Sequence, residues 1–386
     1  MTPKGKSWFP AIFSRDADAS GVSEGNPPTL GEVLLMLGTM FALHLLIVSK
    51  ASNFWDVAAS WMDNPPYLAI TAIIHNGHLS EGYLPRHFWG FPLAIAGVSS
   101  LLSIPDLWAL VLISALASVG TCALVHRLCG GWVAAVFVFI NYQWLLISME
   151  GGSEPLFMCL LYASFLAARS ERWNRAALLA SLGTTVRPVG VLALLCFAAV
   201  LVMRRKYRQL AAITLIGLEI GVLYILPLWI IVGNPFANFV AYRPDWGAGG
   251  WPITYPFGAL TSSSVAKLQS GEAWYRFSYF AAWLIAGLAG TVAIWLPRNR
   301  PRFSGPRLPE ALFASIYMFF FLIYNYDLVV VFFSRFLIPI VPLLVFSFED
   351  WIPRNRFVLW TAAVLTAMAA SVGRVGLRNV LPLGPH

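Results

Sequence analysis

Long apolar runs, separated by short polar segments, fill most of the sequence. A helix needs about 20 apolar residues to span a bilayer, fewer where it is broken or buried in a bundle. By that measure the spans are 32–48, 89–103, 107–126, 132–147, 155–168, 176–203, 210–232, 277–296, 311–332, 336–348 and 357–372. They predict an all-α integral membrane protein, a polytopic bundle of about 10–12 transmembrane helices. No repeat of fixed period interrupts the series, so residues 31–386 read as a single transmembrane domain.

The polar segments give the punctuation. Residues 1–30 are polar and rich in Gly, Ser, Pro and Asp, and are expected to form a disordered cytoplasmic tail. No apolar run follows a basic start there, so a cleavable signal peptide is not expected and the first run serves as an uncleaved anchor. Two longer polar segments, 51–88 and 233–276, are expected on the outer side, the former as a large first loop.

Composition agrees with the pattern. Of 386 residues, 58% are hydrophobic and 11% charged, against about 25% charged in a soluble protein. So few charges cannot cover a soluble surface of this size, but they suffice for the loops of a bundle whose flanks face lipid. The 16 tryptophans suit anchoring at bilayer interfaces. A net charge of +8 would suggest a nucleic-acid partner in a soluble chain. Here the basic residues instead cluster between apolar runs: Arg169, Arg172 and Arg175; Arg204, Arg205, Lys206 and Arg208; Arg298, Arg300, Arg302 and Arg307; Arg354 and Arg356. The positive-inside rule makes these cytoplasmic, and no nucleic acid is expected. Cys122, Cys129, Cys159 and Cys196 lie in or beside apolar runs without CxxC spacing, which indicates neither a zinc site nor a disulfide framework.

Orientation has consequences. Residues 176–203 carry basic clusters at both ends, and Arg187-Pro188-Val189-Gly190 stands at their centre. Proline with a nearby glycine breaks a helix, so two half-length helices are expected to meet at Arg187 near the outer side. The same reasoning makes 132–168 a hairpin with Ser148–Glu154 at its outer tip. One feature conflicts: two full spans between Trp89 and His126 would put Arg127 outside, unless 89–103 does not fully cross.

The outer ionisable groups include Asp56, Asp63, Glu150, Glu154, Arg187, Arg243, Asp245 and Arg335. Asp63, ahead of Asn64-Pro65-Pro66-Tyr67, reads either as a helix cap or as a general base over a cavity at membrane level. Ser153-Glu154-Pro155 reads as a helix start with Ser153 as cap, which leaves Glu150 and Gly151-Gly152 unexplained. Arg187 needs a partner or an anion at that depth: either a salt bridge, with Glu154 as the candidate, or a phosphate. Arg335 opens the Pro-broken run Phe336–Pro342, as a snorkelling residue or as a second phosphate ligand.

In this order and on one side of the membrane, these strings resemble the GT-C superfamily of polyprenyl-phosphate-sugar-dependent glycosyltransferases. Within it they are most similar to the mannosyltransferases akin to the enzyme that adds the second mannose to GPI anchors. The resemblance rests on Trp61, Asp63, Tyr67, Leu68, Ile70 and Gly77; on Gly90-Phe91-Pro92-Leu93; on Ser153 to Phe157; on Arg187-Pro188-Val189-Gly190; and on Arg335 to Pro342, and so covers most of the chain. Trp and Asp are adjacent in that family, whereas Met62 intervenes here. Asp56, directly after Trp55, is therefore the competing acid, and the spacing to Tyr67 favours Asp63.

The resemblance implies a GT-C-like bundle that transfers a sugar, mannose by the nearest likeness, with inversion. The donor would be a polyprenyl-phosphate sugar and the acceptor a hydroxyl of unidentified origin. The reaction would take place on the outer face of a bacterial cytoplasmic membrane, or on the lumenal face of the endoplasmic reticulum. Asp63 would be the base and Arg187 and Arg335 the donor-phosphate ligands. Asp56, Tyr67, Glu150, Glu154 and Arg243 would contact substrate. Neither a metal nor another cofactor is expected. The alternative is a lipid or anion transporter or flippase, since broken helices with mid-membrane arginine also mark carriers.

Overall fold

The structure is a computed structural model, and it describes residues 26–77, 87–241, 253–258, 273–324 and 329–376. Residues 1–25 of the expected tail, and Arg243 and Asp245 of the second outer segment, lie outside the described residues. All the named elements are helical, and one isolated antiparallel bridge pairs Ile253 with Tyr324. The molecule is an integral, multi-pass membrane protein. Among the described residues six helices are long and apolar enough to cross a bilayer unaided: Leu30–Ala51, Asp106–Cys129, Tyr207–Val232, Ser278–Trp295, Gly305–Ile323 and Arg356–Val375. The other apolar runs are shorter or broken, and the breaks shape the site.

In chain order the helices are α1 (Leu30–Ala51), α2 (Phe54–Ala59), α3 (Asn64–Asn76), α4 (Gly90–Leu102), α5 (Asp106–Cys129), α6 (Gly131–Ile140), α7 (Tyr142–Met149), α8 (Glu154–Arg169), α9 (Trp173–Val186), α10 (Val191–Met203), α11 (Tyr207–Pro227) and α12 (Ala237–Ala241). They continue with α13 (Ala273–Trp295), α14 (Arg300–Phe303), α15 (Leu308–Ile323), α16 (Val329–Leu337), α17 (Val341–Ser347) and α18 (Arg356–Val375). Helix α1 begins at a capping box: the Thr29 side chain accepts from the Glu32 amide, and the Glu32 carboxylate accepts from the Thr29 amide.

The four basic clusters gather at one end of the bundle. Arg356 pairs with Glu32, Arg169 with Glu310, Arg204 and Lys206 with Glu171, and Arg298 and Arg302 with Asp350. Lys206 and Arg204 together hold the Glu171 carboxyl below its usual range. Arg169 and Arg307 both donate to the Leu128 carbonyl, which brings the end of α5, and with it Arg127, to this same side.

This placement resolves the conflict over Arg127. Helices α3 and α4 run parallel: Tyr67 packs on Phe91 near their starts, and His75 meets Ser99 near their ends. His75 also reaches Asp106, which opens α5. Gly90, at the start of α4, lies so close to Thr185 at the end of α9 that a Cβ would overlap its backbone. Both ends of α4 therefore lie away from the basic clusters. Residues 89–103 do not carry the chain across, and α5 makes the crossing.

The break expected at Arg187 is present. Helix α9 stops there with extended backbone, a 3-10 turn covers Pro188–Gly190, and α10 follows. By contrast, 132–147 was expected as one span, yet α6 and α7 meet at an 80° bend. Asn141 stands at the bend and explains it: its side-chain oxygen caps α7 by accepting from the Gln143 amide. Such a cap competes with helix continuation.

The hairpin tip depends on Gly151, whose φ of +104° is strained for any residue with a side chain. A Cβ there would also collide with Leu110 of α5. Gly151→Ala is accordingly expected to cost about 1–3 kcal/mol, read as a lower thermal midpoint in detergent. Combining it with Leu110→Ala should recover only the steric part, and an unchanged midpoint for Gly151→Ala alone would contradict this account.

Candidate active site

Four charged side chains from four separate elements meet at the end of the bundle opposite the basic clusters. Asp63 comes from the first loop, Glu154 from the start of α8, Arg187 from the α9–α10 break and Arg335 from the last turn of α16. Arg335 Nη2 donates to Asp63 Oδ2 at 2.7 Å, Arg335 Nε donates to Glu154 Oε1, and Arg187 Nη1 lies 2.5 Å from the same Glu154 oxygen. The result is an alternating series: Asp63, Arg335, Glu154, Arg187. Two carboxylates and two guanidiniums leave no net charge, the condition under which ionised groups persist at such depth.

Exposure divides the set. The side chains of Glu154 and Arg335 are 1% and 7% exposed, and those of Arg187 and Asp63 are 19% and 34% exposed. The inner pair is an anchor, and the outer two present one acid and one cation to whatever enters. The salt-bridge reading of Arg187, with Glu154 as partner, describes this structure.

Local chemistry explains each placement. Asp63 occupies the position before α3, but its carboxylate makes no capping bond; Arg335 holds it instead. Ser153 likewise does not cap α8. Its hydroxyl accepts from Tyr67 Oη at 2.9 Å and from Arg187 Nη1 at 3.3 Å. Met62, the residue that separates Trp61 from Asp63, has a φ of +34°, a strained conformation of the kind that concentrates at functional sites. Its sulfur accepts from Arg335 Nη1 at 3.0 Å.

Arg335 was expected to open an apolar helix, but it closes one. A 3-10 turn over Ile338–Ile340 follows α16, because Pro339 has no amide to continue the ladder. The carbonyls around this break are taken up by distant side chains: Asn141 donates to Ser334 O, Tyr317 to Phe336 O and Tyr162 to Pro339 O. The chain on both sides of Arg335 is thereby tied to α7, α8 and α15.

The other expected substrate residues are placed as follows. Tyr67 is buried, with its hydroxyl engaged by Ser153 and its ring against His87 and Phe91. Asp56 is exposed on α2 and takes no part in the ion-pair series. Arg243 lies outside the described residues. Glu150 belongs to a second cluster: its fully buried carboxylate lies 3.2 Å from His44 Nε2 and accepts from Arg374 Nε at 2.8 Å. It therefore faces α1 and α18, away from the Asp63 series.

His44 and Arg374 were not singled out from the sequence. The usable signals were one imidazole inside the apolar run 41–48 and an arginine just past the last run. Arg374 also stacks over the Trp61 ring and donates to Val57 O, so the second cluster grips the loop that carries Asp63. An apolar cavity of about 140 Å³ opens along α3, between Ile70, Ile74, Trp89, Leu93, Leu228 and Ile231. Among the described residues no three His, Cys, Asp or Glu side chains are grouped to hold a metal.

Fold and site together define a polytopic helical membrane protein with an alternating acid–base series at the end of the bundle away from its basic loops. Its membrane fold is similar to that of ArnT from Cupriavidus metallidurans, whose crystal structure contains bound undecaprenyl phosphate. The TM-score is 0.53 with 15% sequence identity, over 87% of this chain and 63% of ArnT. The chain thus matches less than two thirds of ArnT's length. No protein-family profile matches the sequence, and no curated protein matches it.

The geometry predicts unequal costs of truncation. Glu154→Ala would strip Arg187 of its carboxylate partner and leave the buried Arg335 with Asp63 alone, and should destabilise the fold by about 3–5 kcal/mol. Asp63→Ala removes a partly exposed acid while Arg335 keeps Glu154, and should cost under about 1 kcal/mol. Unfolding midpoints in detergent compare the two, and equal losses would refute the anchor role of Glu154.

Proposed function

We propose that the chain is a membrane glycosyltransferase that moves a sugar from a polyprenyl-phosphate donor to a hydroxyl acceptor, with inversion. Mannose is the sugar that the family resemblance suggests. The observation that carries the proposal is the outer pair of the ion-pair series: an accessible carboxylate and an accessible guanidinium, each fixed by the buried Arg335–Glu154 pair. The fold shared with ArnT, a protein solved with undecaprenyl phosphate bound, supports a lipid-phosphate donor.

In this reading the acceptor oxygen forms a bond to the anomeric carbon as the bond from that carbon to the phosphate oxygen breaks. The bonding pair leaves with the polyprenyl phosphate, and the acceptor proton passes to Asp63. Arg335 binds Asp63 through Oδ2, which orients the carboxylate and leaves Oδ1 to accept the proton. Arg187 commits Nη1 to Glu154 and Ser153, and its remaining N–H groups are available to the departing phosphate, where charge develops. The apolar cavity along α3 suits the first isoprene units of the donor. The basic clusters at the opposite end of the bundle, read by the positive-inside rule, support a site on the outer or lumenal face.

The test is release of polyprenyl phosphate from short-chain polyprenyl-phosphate-mannose by purified protein in nanodiscs with a membrane extract as acceptor source. Asp63→Asn should lower turnover by about 10²–10⁴-fold without loss of donor binding. Arg187→Ala should act mainly on the donor KM. Loss of turnover in Asp56→Asn, with Asp63→Asn active, would transfer the role of base to Asp56. Absence of release from the wild type with mannose, glucose and arabinose donors alike would favour the transporter reading.

A further inference from the structure

Helix α11 and the π-helical turn Leu228–Val232 that follows it form a span of 26 residues, about 39 Å at the helical rise. Ile213 is the one side chain of α11 that the bundle buries. Leu215, Leu218, Val222, Leu223 and Leu226 are exposed, as expected for a helix that faces lipid. At the middle of this span, between those residues, stands Glu219, also exposed. Among the described residues its carboxylate makes no ion pair or hydrogen bond.

A carboxylate at mid-bilayer is costly and normally faces a bundle interior or a partner charge. From the centre of a 39 Å span, the short glutamate side chain cannot reach an interface as a lysine near a helix end can. Among the described residues the buried glutamates are all paired: Glu150 with Arg374, Glu154 with Arg187 and Arg335, and Glu310 with Arg169. Glu219 instead stands on the outside of the bundle, at the middle of its span, with no such partner among the described residues.

We propose that the exposed face of α11 is a docking surface for a membrane-spanning helix of another protein, one that carries a lysine or arginine at mid-depth to pair with Glu219. Charge decides the occupant. A second copy related by a two-fold axis along this face would bring Glu219 against Glu219, and lipid tails offer no cation. The surface lies on a helix that contributes no residue to the Asp63 series and meets the cavity along α3 only at its far end, at Pro227 and the π-helical turn, and the inference uses neither.

The test uses the full chain in nanodiscs with single-span polyleucine peptides carrying a central Lys or a central Leu, followed by energy transfer between dyes. The Lys peptide is expected to bind the wild type about tenfold more tightly than the Leu peptide. The preference should vanish in Glu219→Leu and pass to a Glu-bearing peptide in Glu219→Lys. Equal binding of the Lys and Leu peptides to the wild type would overturn the proposal. In the cell's own membranes, a photoreactive amino acid in place of Leu223 should give an adduct with a protein that has an intramembrane Lys or Arg, and Glu219→Leu should abolish that adduct. Adducts only between copies of this chain, or no protein adduct, would equally overturn it.

Discussion

The burial of Glu154 is the constraint on which the rest of this architecture depends. An ionised carboxylate removed from water is tolerable only with its charge compensated; in Glu154 both guanidiniums fall on Oε1, and Oε2 has no hydrogen-bond partner among the described residues. Here the compensation comes from two guanidiniums that are far apart in sequence. Arg187 can reach Glu154 only because α9 stops there, and Arg335 only because α16 ends at a proline turn. Both breaks strip backbone groups of helical partners in a setting where water is scarce. The Tyr162 and Tyr317 hydroxyls and the Asn141 amide take up carbonyls around the second break. The irregular backbone, the buried polar side chains and the charged series are thus one connected solution.

Two acids four residues apart, Glu150 and Glu154, show how local backbone divides labour. On a continuous helix they would share a face. Gly151, with its positive φ, interrupts the helix between them, and they serve separate clusters. Glu154 anchors the arginines of the candidate site. Glu150 accepts from Arg374 of α18 and lies 3.2 Å from His44 of α1, and its carbonyl accepts from Asn64, the residue after Asp63. Arg374 in turn covers Trp61. The candidate base is therefore steadied from both sides, by Arg335 through its carboxylate and by the Glu150 cluster through its loop.

Much of this was legible in the sequence. The apolar runs, the helix break at Arg187 and the pairing of Arg187 with Glu154 followed from length, proline chemistry and the cost of charge at depth, while the place of Asp63 and Arg335 beside them was implied by the family resemblance. What escaped involved tertiary partners that no local rule supplies. Ser153 and Asp63 have the form of helix caps, and tertiary hydrogen bonds claimed both side chains. The bend at Asn141 lay inside a run apolar enough to pass as one helix. Glu150 read as a group facing the outside because its partners, His44 and Arg374, lie 106 residues before it and 224 residues after it.

The division between inner and outer members of the charged series also bears on how the proposed transfer would proceed without rearrangement of the core. If both arginines were free to bind phosphate, the empty site would hold two uncompensated cations at membrane depth, which the bilayer disfavours. Shared through Glu154, they are neutralised before any donor arrives, while the more exposed Arg187 keeps N–H groups unspent. A phosphate that approaches Arg187 then meets a guanidinium already oriented, so the ordering cost that normally weakens an ionic contact has been met in folding. Glu154 would contribute to catalysis without touching substrate, as the counter-charge that lets a preorganised cation exist there at all.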